Sequence, residues 1–344
     1  GDDNVRTTYR GAGGVPVRTP DDFRRLYEAA QRGNRPLLRC YAGTNDLVEF
    51  GRMLHETIEN AWCAIPVFWY SELDGRSKRP LEDAIAENQE LVAWSAANGI
   101  PVERNDQNQW GLRAASDTVQ VAAAGLAARL SASVGVDTYV IQMMLNNPAG
   151  ISPAMDIAKM EAMHAVVERR AGSGLTILRE LRAGLFSLPA DPVRALGQLG
   201  SATRTAMALS PDILHVVGHT EADHAIAPDE LITSCTLVRQ VVDDALLGLP
   251  DPLADPEVVA RRDWLVEEAE YLLDTIADRY PGAMEGDSKE LGAVVRSGLL
   301  DAPYLVGNPV ARGEAVTVVD GGCDAVHPET GEKIDEATRI ATLD

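Results

Sequence analysis

Charged, amide and aromatic side chains recur at the ends of short apolar runs along this chain of 344 residues. Arginine forks pair with carboxylates and acidic side chains pair with ammonium groups, so the mixture suits a small polar substrate that carries both. If the apolar runs are parallel strands of a barrel, these side chains face one common mouth. The run ends carry Arg39, Tyr41, Trp69, Tyr70, Glu72, Glu103, Arg104, Asp106, Gln142, Asn146, Asn147, Arg179, Glu180, His219, Glu221, Asp223 and His224.

The arginines in this set are the candidates for binding a substrate carboxylate. We predict that Arg39 forms the main contact, with Arg104 or Arg179 nearby. A bidentate guanidinium cannot be replaced by the point charge of a lysine without loss, so Arg39→Lys should weaken substrate binding. The residues expected to line the substrate are Arg39, Tyr41, Trp69, Gln142 and Arg179.

Three histidines and two acids near the sixth apolar run offer an alternative, a divalent-metal site in a lyase or hydrolase. They are His215, His219, Glu221, Asp223 and His224. The chain contains no HxH or HExxH motif, and His215 lies inside a predicted strand. A hydrogen-bonded core histidine is therefore the favoured interpretation of His215, and we assign no metal ligand.

Cofactor motifs with a fixed spacing are absent from the sequence. There is no GxGxxG and no P-loop, which leaves no signature for a dinucleotide or a nucleoside triphosphate. Asp212, His215 and Gly218 come close to the DxHxxG loop of cobalamin-binding domains, but one extra residue separates Asp from His. We interpret this near match as chance.

The stretch from Val136 to Met160 best shows which elements position these side chains. Residues 136–145 form an apolar run typical of a strand buried on both faces, and residues 146–153 form a polar loop with Pro and Gly. Ser152 is a helix cap and Pro153 suits the first helical position, where a missing N–H costs nothing. The stretch predicts a strand, a ligand-holding loop and a helix.

Six such units follow one another, with strands predicted near Leu37, Ile65, Pro101, Val140 and Ile177, and a sixth near Leu214. Repeated strand–loop–helix units indicate parallel strands with right-handed crossovers. Their spacing favours an α/β fold of the TIM type, a (β/α)8-like parallel barrel that is incomplete at its N-terminal side. The pattern predicts an N-terminal segment (1–33), a barrel domain (34–249) and a C-terminal helical and irregular subdomain (250–344).

Composition limits the partners and the compartment. The net charge of −21 argues against nucleic acid and anionic membranes as partners. Cys40, Cys63, Cys235 and Cys323 form no CxxC pair, which favours a reducing cytoplasm. No apolar run approaches 18 residues and no signal peptide is evident, so a soluble protein is expected.

A series of short matches also resembles one protein family, the large catalytic subunit (E chain) of coenzyme B12-dependent glutamate mutase, or methylaspartate mutase. Pro36-Leu37-Leu38-Arg39 is similar to the strand that carries a substrate-binding arginine, and Val216-Val217-Gly218-His219 is similar to the loop that holds the adenosyl group. The remaining matches lie at residues 65–70, 99–104, 135–158 and 298–322.

The resemblance implies an isomerase whose barrel mouth receives adenosylcobalamin, the source of a radical that abstracts hydrogen from glutamate or a related amino acid. It implies a separate small cobalamin-binding subunit with a DxHxxG motif, and a homodimer of this chain within a heterotetramer. Catalytic roles would fall to Glu59, Tyr70 and Arg104. The cofactor would contact Asn105, Asp106, Asn146, Asn147, Gly218, His219, Glu221 and Asp223.

The sequence departs from the family at three places. Gly218 stands where the family has a lysine, and residues 62–70 replace a tyrosine-rich, glycine-containing segment. About two N-terminal strand–helix units that carry two further arginines are missing, and Arg6 and Arg10 are the candidates to replace one of them. These departures leave a B12 enzyme with another substrate and a catalytically silent partner subunit as alternatives beside the metal-dependent enzyme.

Overall fold

The computed structural model describes residue 17, residues 19–41 and residues 45–343. Arg6, Arg10 and Ala42, where the first predicted strand ends, lie outside the described residues. The helices are α1 (Pro20–Ala30), α2 (Leu47–Ile58), α3 (Leu81–Ala97), α4 (Asp106–Gly111), α5 (Asp117–Ser133), α6 (Pro153–Ala171), α7 (Pro192–Met207), α8 (Pro228–Ala245), α9 (Pro256–Arg279), α10 (Ser288–Ser297) and α11 (Glu336–Ala341). The strands are β1 (Cys63–Ala64), β2 (Val102–Arg104), β3 (Thr138–Met144), β4 (Thr176–Arg182), β5 (Ile213–His215), β6 (Thr317–Asp320) and β7 (Gly322–Ala325).

The centre of the fold is a five-stranded parallel sheet in the order β1-β2-β3-β4-β5, curled into a half-barrel. Each strand pairs with the next along the chain, and helices cross over between them, as right-handed βαβ connection rules require. The sheet is consistent with an incomplete TIM-like barrel. The prediction of an α/β fold built on parallel strands is confirmed at this level.

Two predicted strands differ from the structure at the first edge of the sheet. The predicted strand near Leu37 is wrong over the described residues 36–41, where strand pairing is limited to a parallel bridge between Tyr41 and Ala64. The strand at residues 62–70 ends at Ala64. The Asp106 carboxylate accepts hydrogen bonds from the backbone N–H groups of Val67 (2.8 Å) and Phe68 (3.4 Å), so these groups are not free to continue the ladder.

The polar stretch that follows β2 contains the helix α4. The helix α4 is polar but buried, because its side-chain amides form hydrogen bonds with a neighbouring strand. Gln107 and Asn108 both donate from their side chains to the backbone carbonyl of Gln142 on β3. Buried polar groups are tolerated where they are hydrogen-bonded, which explains why a polar sequence forms core structure here.

The predicted unit around β3 and α6 is confirmed. The strand β3 is buried along nearly its whole length. Ser152 Oγ accepts from the N–H of Met155 at 3.2 Å, and Pro153 occupies the first helical turn. These local interactions fix where the helix begins, as expected for a serine cap followed by proline.

The C-terminal part of the chain packs on the helices that cover the sheet. Leu265, Leu272 and Leu273 of α9 are fully buried in the same hydrophobic core as α5 and α6. Strands β6 and β7 form an antiparallel hairpin, and Ser152 N–H donates to the Gly321 carbonyl at 2.7 Å. The domain boundary at residue 250 stays a prediction.

A buried ion network joins this C-terminal part to α5 and α6. Lys159 is fully buried and lies 3.3 Å from Asp117 and 3.4 Å from Asp156. Arg261 of α9 connects Asp117 (3.0 Å) to Asp324 of β7 (2.6 Å). The network ties four elements, α5, α6, α9 and β7, to one another. In the described part of the chain, no helix is long and apolar enough to cross a membrane.

Candidate functional site

A row of hydrogen-bonded polar side chains crosses the face of the sheet that is turned away from the helices. We call Arg39, Glu103, Gln142, Glu180 and His215 the interior row. Arg39 Nη2 donates to both Glu103 oxygens, and Gln142 Nε2 donates to Glu103 Oε1 (2.7 Å) and to Glu180 Oε1 (3.0 Å). His215 Nδ1 lies 3.0 Å from Glu180 Oε1. Alternate residues of neighbouring parallel strands share a face, which places these side chains side by side.

Burial changes the acidity of the interior row. Desolvation raises the pKa of Glu103 to about 7 despite the opposing charge of Arg39. Burial acts in the same direction on Glu180, but its hydrogen bonds with His215 and Gln142 and the charges of His215 and Arg39 together outweigh that effect and lower the pKa of Glu180. Glu103 can therefore hold or release a proton near neutral pH while Glu180 stays ionised. Trp62 Nε1 donates to Glu103 Oε2 at 2.6 Å and lies beside this proton.

The interior row also contains polar atoms that the protein leaves unbonded. Within the described residues, the buried Oε2 of Glu180 and Nε of Arg39 have no hydrogen-bond partner. An unbonded buried polar atom costs about 1–3 kcal/mol, so such atoms are rare in folded proteins. Two of them in one row indicate a surface whose hydrogen bonds a ligand can complete.

Arg182 lies at the carboxyl end of β4, two residues after Glu180 and on the same face. Within the described residues, Arg182 Nε donates to the Ala183 carbonyl at 3.4 Å, and the guanidinium forms no ion pair. Burial lowers the pKa of Arg182, while the charges of Glu221 and Glu180 act in the opposite direction. The guanidinium is thus a partly buried cation without a fixed counterion.

Two tyrosines and an asparagine form an aromatic rim beside Arg39. Tyr41 Oη donates to Asn105 Oδ1 at 2.8 Å, and the Tyr41 and Tyr70 rings lie 5.6 Å apart. The Arg39 guanidinium lies 5.2 Å from the centre of the Tyr41 ring. Burial raises the pKa of both tyrosines, so their hydroxyls stay protonated. The structure therefore brings together four predicted site residues at this rim, Arg39, Tyr41, Tyr70 and Asn105.

Arg104 and Arg179 lie on the opposite, helix-facing side of the sheet. Arg104 is fully buried and donates to Ser131 of α5, to the Ile65 carbonyl and to Gln89 of α3. Arg179 donates to Glu161 of α6 (3.1 Å) and to the Leu209 carbonyl (2.9 Å). The structure does not bring either arginine into the interior row.

Three further predicted residues serve the core or the surface. Trp69 is fully buried, with its ring 4.9 Å from Trp110 and under the Arg113 guanidinium. The Asp106 carboxylate accepts hydrogen bonds from the backbone N–H groups of Val67 and Phe68, and burial raises its pKa to about 6. Glu59 is exposed at the end of α2 and hydrogen-bonds Tyr27, which raises the pKa of that tyrosine.

The loops after β3 and β5 present fewer free groups than the sequence suggested. Asn147 is buried and donates to the Asn108 carbonyl at 2.9 Å, whereas Asn146 is partly exposed and binds Asp156 through its backbone N–H. His219 is buried, with Nδ1 2.8 Å from Ser234 Oγ. Glu221 is exposed at the mouth of the half-barrel, where its charge acts on Arg182.

Gly218 allows the loop after β5 to pack closely. A side-chain carbon at Gly218 would lie 2.4 Å from Ile226 Cδ1. A side chain at position 218 would therefore fit only if Ile226 moved.

The histidines and acids considered as metal ligands do not converge. His215 contacts Glu180, His219 contacts Ser234, and exposed His224 lies between Asp223 (2.9 Å) and Glu230 (3.0 Å). Among the described residues, no group of three or more His, Cys, Asp or Glu side chains is arranged to hold a metal ion.

Sequence reasoning did not assign Trp62 and Arg182 to the site, and it left Glu103, Glu180 and His215 without roles. The alternation of Glu180 and Arg182 along β4 was the signal that could have found them, since residues two apart share a face. Comparison of the chain with protein-family models finds no match. Comparison with curated protein sequences finds none either.

Proposed function

We propose that this chain is the catalytic subunit of an adenosylcobalamin-dependent carbon-skeleton mutase, an isomerase that acts on glutamate or a related amino acid. The observation that carries the proposal is the interior row with Arg182 beside it. Carboxylate, amide, imidazole and guanidinium groups lie together at the carboxyl ends of parallel strands, where barrel enzymes bind their substrates. Both signs of charge are present, as an amino acid with carboxylate and ammonium groups requires.

The proposal includes closure of the half-barrel into an eight-stranded barrel. The strand β5 and the segment at Tyr41 are the two edges of the parallel sheet. Further strand–helix units between these edges would enclose the interior row and exclude water from it. Exclusion of water strengthens the electrostatic interactions of a site and protects reactive intermediates.

The mouth fits an adenosyl group in part. Glu221 and Asp223 are exposed there and their carboxylates could accept from ribose hydroxyls, while the partly exposed Asn146 amide could donate to a ring nitrogen. Asp106, Asn147 and His219 are occupied by contacts within the protein. Bound adenosylcobalamin would supply a carbon radical that abstracts hydrogen from the substrate. The roles of this chain would be to hold the substrate through the interior row and to position it closely, since small positional errors cost much rate.

The test combines the purified chain with a small cobalamin-binding subunit that carries a DxHxxG motif and with adenosylcobalamin. Electron paramagnetic resonance during incubation with L-glutamate should show an organic radical coupled to cobalt, and proton NMR should show 3-methylaspartate. A matched sample with Glu103→Gln keeps the shape of the side chain but removes its charge and its proton. We expect that sample to lose most product formation.

Two results would speak against the proposal, and a third would change only its substrate. Binding of the small subunit without any radical or product, with several amino acids tried, would favour a catalytically silent partner. A radical with another amino acid would keep the enzyme class and change the substrate. Stoichiometric zinc or magnesium in the purified chain, with activity that a chelator removes, would favour the metal-dependent enzyme.

A further inference from the structure

The arginines that the sequence marks as carboxylate-binding already form ion pairs or hydrogen bonds with groups of the protein. Arg39 is paired with both oxygens of Glu103, and Arg104 and Arg179 donate to groups on the helix-facing side. Arg182 is different, because its guanidinium faces the interior without an ion pair within the described residues. An anionic ligand entering the half-barrel therefore meets Arg182 as the available cation.

The surroundings of Arg182 favour an added negative charge. Glu221, Glu180 and Glu103 attract the guanidinium without forming an ion pair with it in the described part of the chain, and Arg39 repels it. A cation that is partly removed from water without a contact partner is costly. A ligand carboxylate between the guanidinium groups would relieve that cost and could bind Arg182 through two parallel hydrogen bonds.

Glu180 supplies the complementary group. Its Oε1 is shared by Gln142 and His215, while its buried Oε2 has no partner in the described part of the chain. Glu180 and Arg182 are two residues apart on one strand, so their Cα atoms are separated by about 6–7 Å and their long side chains can converge. A carboxylate acceptor and a guanidinium donor at this spacing match the adjacent ammonium and carboxylate groups of an α-amino acid.

We propose that Arg182 binds the α-carboxylate and Glu180 the α-ammonium group of an amino-acid ligand. The inference rests on the proposed function for the class of substrate and adds two binding residues to it. Arg182 is the main determinant of affinity, since a charge-assisted bidentate pair is stronger than a neutral hydrogen bond. Glu180 distinguishes amino acids from simple carboxylic acids.

The test is isothermal titration calorimetry on the full chain, without cobalamin and without a partner subunit. The probes are L-glutamate and glutarate, which has the same two carboxylates but no ammonium group. The variants are Arg182→Gln, Arg182→Lys and Glu180→Gln, with Arg194→Gln of α7 as a control that removes one exposed arginine. Circular dichroism on each sample checks that the fold is retained.

We expect Arg182→Gln to weaken L-glutamate binding about tenfold or more, and Arg182→Lys to fall between it and the parent, because lysine keeps the charge but loses the fork. Glu180→Gln should reduce the preference for L-glutamate over glutarate, and Arg194→Gln should bind as the parent does. Equal affinity in Arg182→Gln and the parent would overturn the inference, as would a parent chain that binds neither probe. Amino-acid binding without radical chemistry would instead count against the mutase, while turnover that survives Arg182→Gln would count against Arg182 alone.

Discussion

The two faces of the parallel sheet carry buried charge in different ways. On the helix-facing side, Arg104 donates to three protein acceptors and Arg179 donates to Glu161 and the Leu209 carbonyl. On the interior side, Glu180 keeps an unbonded oxygen and Arg182 keeps a guanidinium without an ion pair, within the described residues. The arginines on the helix-facing side bind groups of the neighbouring helices and loops, whereas Glu180 and Arg182 on the interior side can still bind a ligand.

The largest expected effect lies on the helix-covered side, in the network around Lys159. Replacing Lys159 by methionine leaves Asp117 and Asp156 buried without their shared cation, which should lower the free energy of unfolding by about 3–5 kcal/mol. Urea denaturation followed by circular dichroism measures the change. Lys78→Met, at an exposed position, is the control and should stay within about 0.5 kcal/mol of the parent. A loss for Lys159→Met no larger than the control would show that the network does not stabilise the fold.

The pH dependence of the unfolding free energy tests the buried Glu103 on the interior face of the sheet. The pKa of Glu103 is raised from 4.5 to about 7 by burial, so between these values the folded chain holds a proton that the unfolded chain has lost. The unfolded state then binds fewer protons, and the contribution of Glu103 to stability falls as pH rises through this window. Relative to Glu103→Gln, the parent should lose roughly 2–3 kcal/mol of unfolding free energy across the window.

Subtracting the Glu103→Gln curve removes the titration of other buried acids, including Asp106 and Asp156, whose pKa values are also raised to about 6 by burial. Urea denaturation at a series of pH values gives both curves. A difference that stays constant with pH would mean that Glu103 remains ionised, and the proton-holding role of the interior row would be lost.

The smallest expected effect is a difference in unfolding free energy between variants of two arginines on the same strand. Arg179→Gln breaks charge-assisted hydrogen bonds to α6 and the Leu209 carbonyl and should lower the unfolding free energy by about 1–3 kcal/mol. Arg182→Gln breaks no ion pair within the described residues and removes a cation that is partly withdrawn from water, so it should not lower the unfolding free energy by more than about 0.5 kcal/mol. Thermal and urea denaturation of the two variants in parallel measure the contrast. Equal losses would remove the distinction between the two faces.

Local sequence signals predicted much of the fold. The cap at Ser152 and the buried run of β3 depend on neighbouring residues only, and the predicted strand–loop–helix unit is present. The strand at residues 62–70 ends early because Asp106, about 40 positions later in the chain, binds the backbone of Val67. An interaction between residues so distant in sequence cannot be read from a single local pattern.

The sequence predicted which types of side chain form the site, but only some of the individual residues. Arginines at strand ends were expected, but choosing among Arg104, Arg179 and Arg182 requires knowing which residues face the helices. A shift of one position in a strand moves a side chain to the other face. The Arg39–Glu103 pair likewise depends on strands meeting in three dimensions, so the sequence offered Arg39 as free when the fold pairs it.

A crystal structure of the chain soaked with L-glutamate tests the central claim most directly, since it shows which face of the sheet holds the ligand. The account predicts a carboxylate within hydrogen-bond distance of the Arg182 guanidinium and an ammonium group beside Glu180 Oε2. The contradicting result is a ligand in the groove on the opposite face, which Arg179, His164 and Arg262 line, with Arg182 closed onto Glu221 or Glu180.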